Sequence, residues 1–357
     1  MWFDKLLDRK APGLRGLLLV VVLALVGAVL VVQGAQHWRA GERSAERSRL
    51  LQQTADTLQA QTTGGSMLGA VSLMGLSEPL LKDMALGRLP PDHPEALSRL
   101  AVARGRFLVQ GVYVMSADGT VVAHETPGER STGLNLAFRP YFQQAIQGAT
   151  SVYAAIGSNT QERGLYYAAP LYESDTPSSN IIGVVMFKVG FEPVDLLLKR
   201  AGLPMVLLSP QGVAFAATRP EWQFAVAPPL TQARIDAIRA TRQFGRHFDN
   251  GVASALPFAA DAGEVQINGV PHAVERRAID WHDPTGEWQL VALDDISALM
   301  TSSQRARIGA VAFVLFCLLG LLLLDLLRSR ARVASALERF RAVSYTHLRA
   351  HETRGNI

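Results

Sequence analysis

The stretch Gly183–Gly190 reads "GVVMFKVG". β-branched and aromatic residues between glycines predict a strand, and their near-continuous run predicts one that is buried. Lys188 interrupts it. Burying an unpaired ammonium costs several kcal/mol, so this lysine must be paired, exposed or neutral. Strand alternation offers the plain reading, with Lys188 beside Met186 on a solvent face, where a lysine also guards an edge against aggregation. Yet lysine is scarce in this chain. Lys5, Lys10, Lys82, Lys188 and Lys199 stand among 35 basic residues, the rest arginine, so a mid-strand lysine asks for a partner.

The surrounding pattern places that strand in a sheet. Upstream, "GVYVMSADGTVVAHET" (Gly111–Thr126) reads as two strands around Asp118-Gly119, a strong hairpin signal. "RPYFQQAIQG" (Arg139–Gly148) reads as a short helix closed by Gly148. "SVYAAIGS" and "GLYYAAPLYE" supply further strands, separated by turn-rich pieces. Together they predict a mainly antiparallel sheet with helices on one side. A long helix over residues 36–82, kinked at Gly64–Gly65, and another over Pro94–Leu108 precede it.

The same order recurs downstream. A helix "EPVDLLLKRAG" leads into "PMVLLSPQGVAFAAT", two strands around Ser209–Gly212. A helix over Thr231–Thr241 follows, then strands in "EVQINGVPHAVERRAIDW" and "EWQLVALDD", then a helix from "ISALMTSSQRAR". The expected fold class is α+β: a long N-terminal stalk helix carrying two tandem modules, the first over about 36–200 and the second over 201–300.

Hydrophobic residues make up 48% of the 357, enough for a core and for membrane segments. Gly16–Val32 and Ile308–Leu324 carry no charge, and with a few flanking residues each covers ~30 Å of hydrocarbon. The expected spans are 14–33 and 308–327. The first is long for a signal peptide, although "VQGA" offers small residues for cleavage; an uncleaved anchor fits better. Lys5, Arg9, Lys10 and Arg15 before the first span, and Arg328, Arg330 and Arg332 after the second, put residues 1–13 and 328–342 in the cytoplasm and 34–307 outside the inner membrane, in a bacterial periplasm. Arg39, Arg43, Arg47 and Arg49 run against that rule, but a long loop translocates largely regardless of charge. The single cysteine, Cys317, lies in the second span, so the outer segment has no disulfide or thiolate metal site. The net charge of +4 includes both basic flanks and gives no argument for nucleic acid.

Lys188 takes a functional reading beside a second cation. Arg139 in "FRPYF" begins a predicted helix, where free N–H groups also favour anions. An arginine grips a carboxylate with two donors, which adds geometry to charge. Tyr141, Tyr153, Tyr166 and Tyr167 are available hydroxyl donors, though half-core packing accounts for each alone. Two separated cations suit a diacid; one cation with an acidic side chain suits an amino acid.

In order, "GLNLAFRPYFQQAIQG", "SVYAAIGSNTQERGLYYAAPLY" and "IIGVVMFKV" resemble the double-Cache sensor domains of bacterial C4-dicarboxylate sensor histidine kinases. "LSPQGVAFAATRPEWQF" and "RIDAIRATRQFG" resemble the membrane-proximal half of the same family. The resemblance implies two PAS-like modules, with a small dicarboxylate such as succinate, fumarate or malate bound in the membrane-distal one. It implies that Arg139 and Lys188 grip the carboxylates, that Phe138, Tyr141, Tyr153 and Tyr167 line the pocket, and that Gly157 and Ser158 offer a backbone N–H or a hydroxyl. It also implies a homodimer and a cytoplasmic response regulator as partner. No cofactor is expected in this segment; ATP belongs to a kinase domain further along. The same sensor on a chemoreceptor or diguanylate cyclase, or a ligand-free protein-interaction module, stays open as an alternative.

Val343–Thr353 resembles a translated sequencing adapter, and residues 343–357 are expected to be an artefact with the natural frame interrupted near Ala342. Before it, Val333, Leu337 and Phe340 give one heptad of a signalling helix. Asp294–Asp295 are expected to cap the following helix, and Asp325 to pair with Arg328.

Overall fold

The computed structural model describes residues 14–63, 66–128, 130–297 and 299–354, with backbone alone at 14, 15, 66 and 341–354. The cytoplasmic segment 1–13 and the kink at Gly64–Gly65 lie outside the described residues. The chain divides into two compact units, one of residues 45–297 and one of residues 1–44 with 298–357.

The larger unit holds two five-stranded sheets. Ahead of the first come α1 (Leu14–Thr62), α2 (Ser66–Ser77), α3 (Pro79–Ala85) and α4 (Pro94–Phe107). Proline at the first turn of α3 and α4 sits where its missing N–H costs nothing. The strands β1 (Gly111–Ser116) and β2 (Val121–Glu125) precede the short helix α5 (Pro140–Ala145). Then come β3 (Ser151–Ile156), β4 (Arg163–Tyr172) and β5 (Ile181–Gly190). The order is β2-β1-β5-β4-β3, antiparallel throughout, with β5 in the centre.

That central place explains the apolar run. Val185 and Phe187 point into a core with Leu51 and Leu58 of α1, Val71 of α2, Leu81 of α3 and Leu100 of α4. Val184 and Met186 point the other way, into a second core with Tyr141, Phe142 and Ala145 of α5. Helices therefore cover both faces of this sheet, where the sequence pattern suggested one. The solvent face offered to Lys188 is roofed by α5 and the loops beside it.

The second sheet repeats the circuit. After α6 (Glu192–Arg200), β6 (Met205–Leu208) and β7 (Ala214–Ala217) form the hairpin; α7 (Gln232–Ala240), β8 (Glu264–Ile267), β9 (Val270–Ile279) and β10 (Trp288–Asp295) follow. The order β7-β6-β10-β9-β8 is the first sheet's order shifted by five strands. Gly119 and Gly212 turn the two leading hairpins at φ +85° and +82°, a conformation that favours glycine. Thr231 caps α7 by accepting the Arg234 N–H at 3.3 Å.

The predicted helix after "EWQLVALDD" begins only at Ser302, where α8 (Ser302–Arg354) starts. Asp294 and Asp295 therefore lie in β10 and do not cap it. Asp294 is buried 3.6 Å from Arg47, and Asp295 accepts the Ser297 N–H. The backbone of α8 stays helical through Arg354, past the point where the sequence pattern stops.

In the smaller unit, α1 and α8 each carry a stretch long and apolar enough to cross a membrane, with mean hydropathy 2.9 and 2.8. Ala24 and Ala28 are buried there, and Gly27 and Gly320 lie against Phe316 and Val20, so the small residues let the two helices approach. Asp325 is exposed and faces Arg332 at 3.8 Å rather than Arg328.

Candidate functional site

Lys188 and Arg139 meet in one cavity. Each is almost fully buried, with 3% and 4% of its surface exposed. Among the described residues neither has a carboxylate within 4.0 Å. The cavity, about 40 Å³, is also lined by Tyr113, Tyr141, Tyr166, Met186 and the loop Gly157–Thr160, and no aspartate or glutamate lines it. Two buried positive charges, neither with a carboxylate partner among the described residues, on one small cavity give it a charge that suits an anion.

Register delivers the lysine. Lys188 pairs with Tyr166 on β4 and Gly111 on β1, so its side chain rises on the α5 face beside Met186. Its ammonium donates to Thr160 Oγ1 at 3.0 Å. Arg139 stands just before α5, extended at φ −74° and ψ 132°, with Pro140 opening the helix. The helix has only six residues, so the guanidinium rather than the helix end carries the positive charge here. Its Nη2 donates to the Ile156 carbonyl at 3.1 Å and to Ser158 Oγ at 2.8 Å, and its Nη1 to the Arg242 carbonyl at 3.0 Å.

Tyr141 and Tyr166 stack at 5.6 Å and 3°, forming an aromatic wall. Burial pushes the Tyr141 hydroxyl up to about 12, with Arg139 partly offsetting it, so it stays a neutral donor. Gly157 is required by close approach: a Cβ there would strike Thr160 Oγ1 and lie 3.1 Å from the Tyr166 hydroxyl.

Of the residues singled out from sequence, Arg139, Lys188, Tyr141, Tyr166, Gly157 and Ser158 line the cavity. Tyr153 stands behind the wall, fully buried with its ring 5.9 Å from Tyr141; burial raises its hydroxyl pKa, against the pull of Arg139. Phe138 does not line the cavity. It is 39% exposed, its ring 5.1 Å from the Arg139 guanidinium and 5.3 Å from that of Arg242. Tyr167 is on the wrong face. Strand alternation sends it into the core with Phe187 and α1–α4, and Tyr166 takes the pocket position. Tyr113, Ser131 and Thr160 also reach the cavity without a local signal. They arrive through strand pairing and loop closure, which a single sequence does not display.

No family model matches the chain. It is 29% identical over 182 residues to a C4-dicarboxylate transport sensor protein, DctB, of Pseudomonas aeruginosa, covering 50% of this chain and 27% of that protein. It is 27% identical over 232 residues to the DctB of Rhizobium meliloti, covering 62% of this chain and 36% of that protein. The chain thus spans about a quarter to a third of the length of these relatives. Among solved structures it is similar to the histidine kinase DctB sensor domain of V. cholerae, with TM-score 0.56, 20% identity, 71% of this chain and 96% of that one. It is also similar to the ligand-binding domain of the Campylobacter jejuni chemoreceptor Tlp3 in complex with L-valine, with TM-score 0.50, 14% identity, 74% of this chain and 97% of that one. In sequence the segment is similar to the DctB C4-dicarboxylate transport sensor proteins, and in fold to the DctB sensor domain of V. cholerae.

Proposed function

We propose that this chain is the extracytoplasmic sensing region of a membrane sensor histidine kinase, and that Arg139 and Lys188 bind the two carboxylates of a C4-dicarboxylate. One observation carries the reading: two buried cations line one cavity, and among the described residues neither has a carboxylate partner. A diacid supplies the two missing charges. An α-amino acid brings an ammonium that needs an acceptor, and the lining offers it no carboxylate. The likeness to the Tlp3 domain thus supports the fold, while the charge of this cavity favours a dianion over a zwitterion. The flanking apolar helices support placing residues 34–307 in the periplasm, with a homodimer passing the ligand state through the second span to a kinase and its response regulator.

The test is thermal unfolding of the full chain in detergent against C4 diacids, monocarboxylates and amino acids. A ligand at ~100 times its dissociation constant adds about 2.7 kcal/mol to the native state. Stabilisation by succinate, fumarate or malate that disappears in Lys188→Ala is expected. No stabilisation by any small anion would overturn the reading.

A further inference from the structure

The two apolar helices of the smaller unit leave a groove of about 490 Å³ along α8. Ile308, Val311, Leu315 and Leu319 line it from α8, and Val31 from α1. Steps of three and four residues put the α8 side chains in one row. Val311, Leu315 and Leu319 are exposed along it. Every lining residue is apolar except Arg307, which stands at one end. From Ile308 to Leu319 the helix rises about 17 Å. Half of a ~30 Å hydrocarbon core is about 15 Å. With 308–327 in the bilayer, the groove has the depth of one leaflet and Arg307 lies at that leaflet's surface.

The arginine end is basic on both helices. On α1, Arg39 donates to Gln304 Oε1 at 3.3 Å, three residues from Arg307 on α8. Arg43 and Arg305 add to the charge, against one acid, Glu42, in residues 33–44 and none in 299–324. Among the described residues neither Arg305 nor Arg307 has a carboxylate within 4.0 Å. Trp38, next to Arg39, is exposed, as aromatic residues are at a membrane–water boundary. These outer arginines oppose the positive-inside rule, so orientation gives them no role. An anionic headgroup does. A guanidinium pairs a phosphate through two donors, and a basic residue beside an anionic surface adds affinity.

We propose that this groove holds one acyl chain of an anionic phospholipid of the periplasm-facing leaflet, with the lipid phosphate at Arg307 and the neighbouring Arg39. The proposal rests on the membrane placement given under Proposed function and is independent of the anion site between Arg139 and Lys188. A second copy of the chain fits this face less well. A two-fold contact sets a patch against itself, so it would bring a second Arg307 near this one, and like charges repel at the edge of a low-dielectric layer. A phosphate supplies the opposite charge at that position.

The full chain is reconstituted in phosphatidylcholine vesicles, and its resistance to a carbonate wash is scored. In detergent, native mass spectrometry then measures retention of phosphatidylglycerol against phosphatidylcholine of equal chain length. The chain is expected to stay with the vesicles and to prefer phosphatidylglycerol by at least about five-fold, the effect of one basic residue near an anionic surface. Arg307→Gln should remove about five-fold of that preference. Leu315→Trp, which fills the groove, should lower retention of both lipids. An inserted chain that holds the two lipids equally, or whose preference survives Arg307→Gln, overturns the lipid site and leaves the membrane placement standing. A chain washed from the vesicles overturns the membrane placement and the lipid site with it. Cross-linking of Val311→Cys to a second copy in the vesicles, on a Cys317→Ser background, gives the groove to the dimer and overturns the proposal.

Discussion

Replacing Lys188 with methionine should make the empty protein more stable and the sensor blind. Methionine is unbranched and of similar length, so it fills the space beside Met186 without a cavity. The lysine it replaces is 3% exposed, and its ammonium donates to one neutral acceptor, Thr160, with Arg139 as a second positive charge on the same cavity. A buried ion costs several kcal/mol, and the lost charged hydrogen bond is worth about 1.5–3 kcal/mol. Thr160 is not orphaned, because its hydroxyl also accepts the Glu162 N–H at 3.3 Å. The balance favours Lys188→Met by about 1–2 kcal/mol, a rise of roughly 2–8 °C in Tm for a unit of this size. Losing one of two buried charges on a ligand costs about 2–5 kcal/mol of binding, at least 30-fold or so in Kd. The assay is paired thermal unfolding, with and without saturating succinate, plus calorimetry. Without ligand the variant melts above the natural protein; with ligand the order reverses, since only the natural protein gains about 2.7 kcal/mol. A variant that melts lower without ligand, or binds succinate within about threefold of the natural affinity, which is under 1 kcal/mol, would refute the reasoning.

Gly157→Ala puts a methyl into Thr160 Oγ1 and close to the Tyr166 hydroxyl. Overpacking of this kind costs about 1–3 kcal/mol, and calorimetry should show weakened anion binding alongside a lower Tm. Tyr166→Phe should weaken binding while Tyr167→Phe leaves it unchanged, because the two rings lie on opposite faces of β4; equal effects would break the face assignment. Asp283 provides a pH test. Burial raises its pKa above the ordinary 3.8, against hydrogen bonds from Thr285 and Trp288. A raised folded value means that its contribution is present below 3.8 and is lost as pH climbs through the folded value. The Tm difference between Asp283→Asn and the natural protein should therefore move in the variant's favour from acid toward neutral pH, and a pH-independent difference would remove the assignment.

Local pattern disclosed every strand of both sheets, because alternation and turn residues are properties of neighbours in sequence. It also singled out Lys188 and Arg139, because a cation inside an apolar run and an arginine ahead of Pro140 are visible without any partner. The choice of Tyr167 over Tyr166 failed for a physical reason. Adjacent residues of a strand face opposite ways, and a strand buried on both faces carries no apolar–polar alternation to say which way is which. Thr160 was invisible because it reaches Lys188 from a loop 28 residues away, closed by strand pairing. The second helical layer was missed because α5 is one short helix standing alone against four.

The sheet divides its labour between its faces. Toward α1–α4, β5 sends Val185 and Phe187 into a large apolar core, where burial supplies the stabilisation. Toward α5 it sends Val184, Met186 and then Lys188, and the apolar layer ends where the ligand space begins. A site so placed shares the strand that anchors the core, and Lys188 is held there with 3% of its surface exposed. Its charge then has two outlets: a hydroxyl of the chain or an anion from outside. The first leaves a poorly matched ion that the rest of the fold must carry, and the second relieves it.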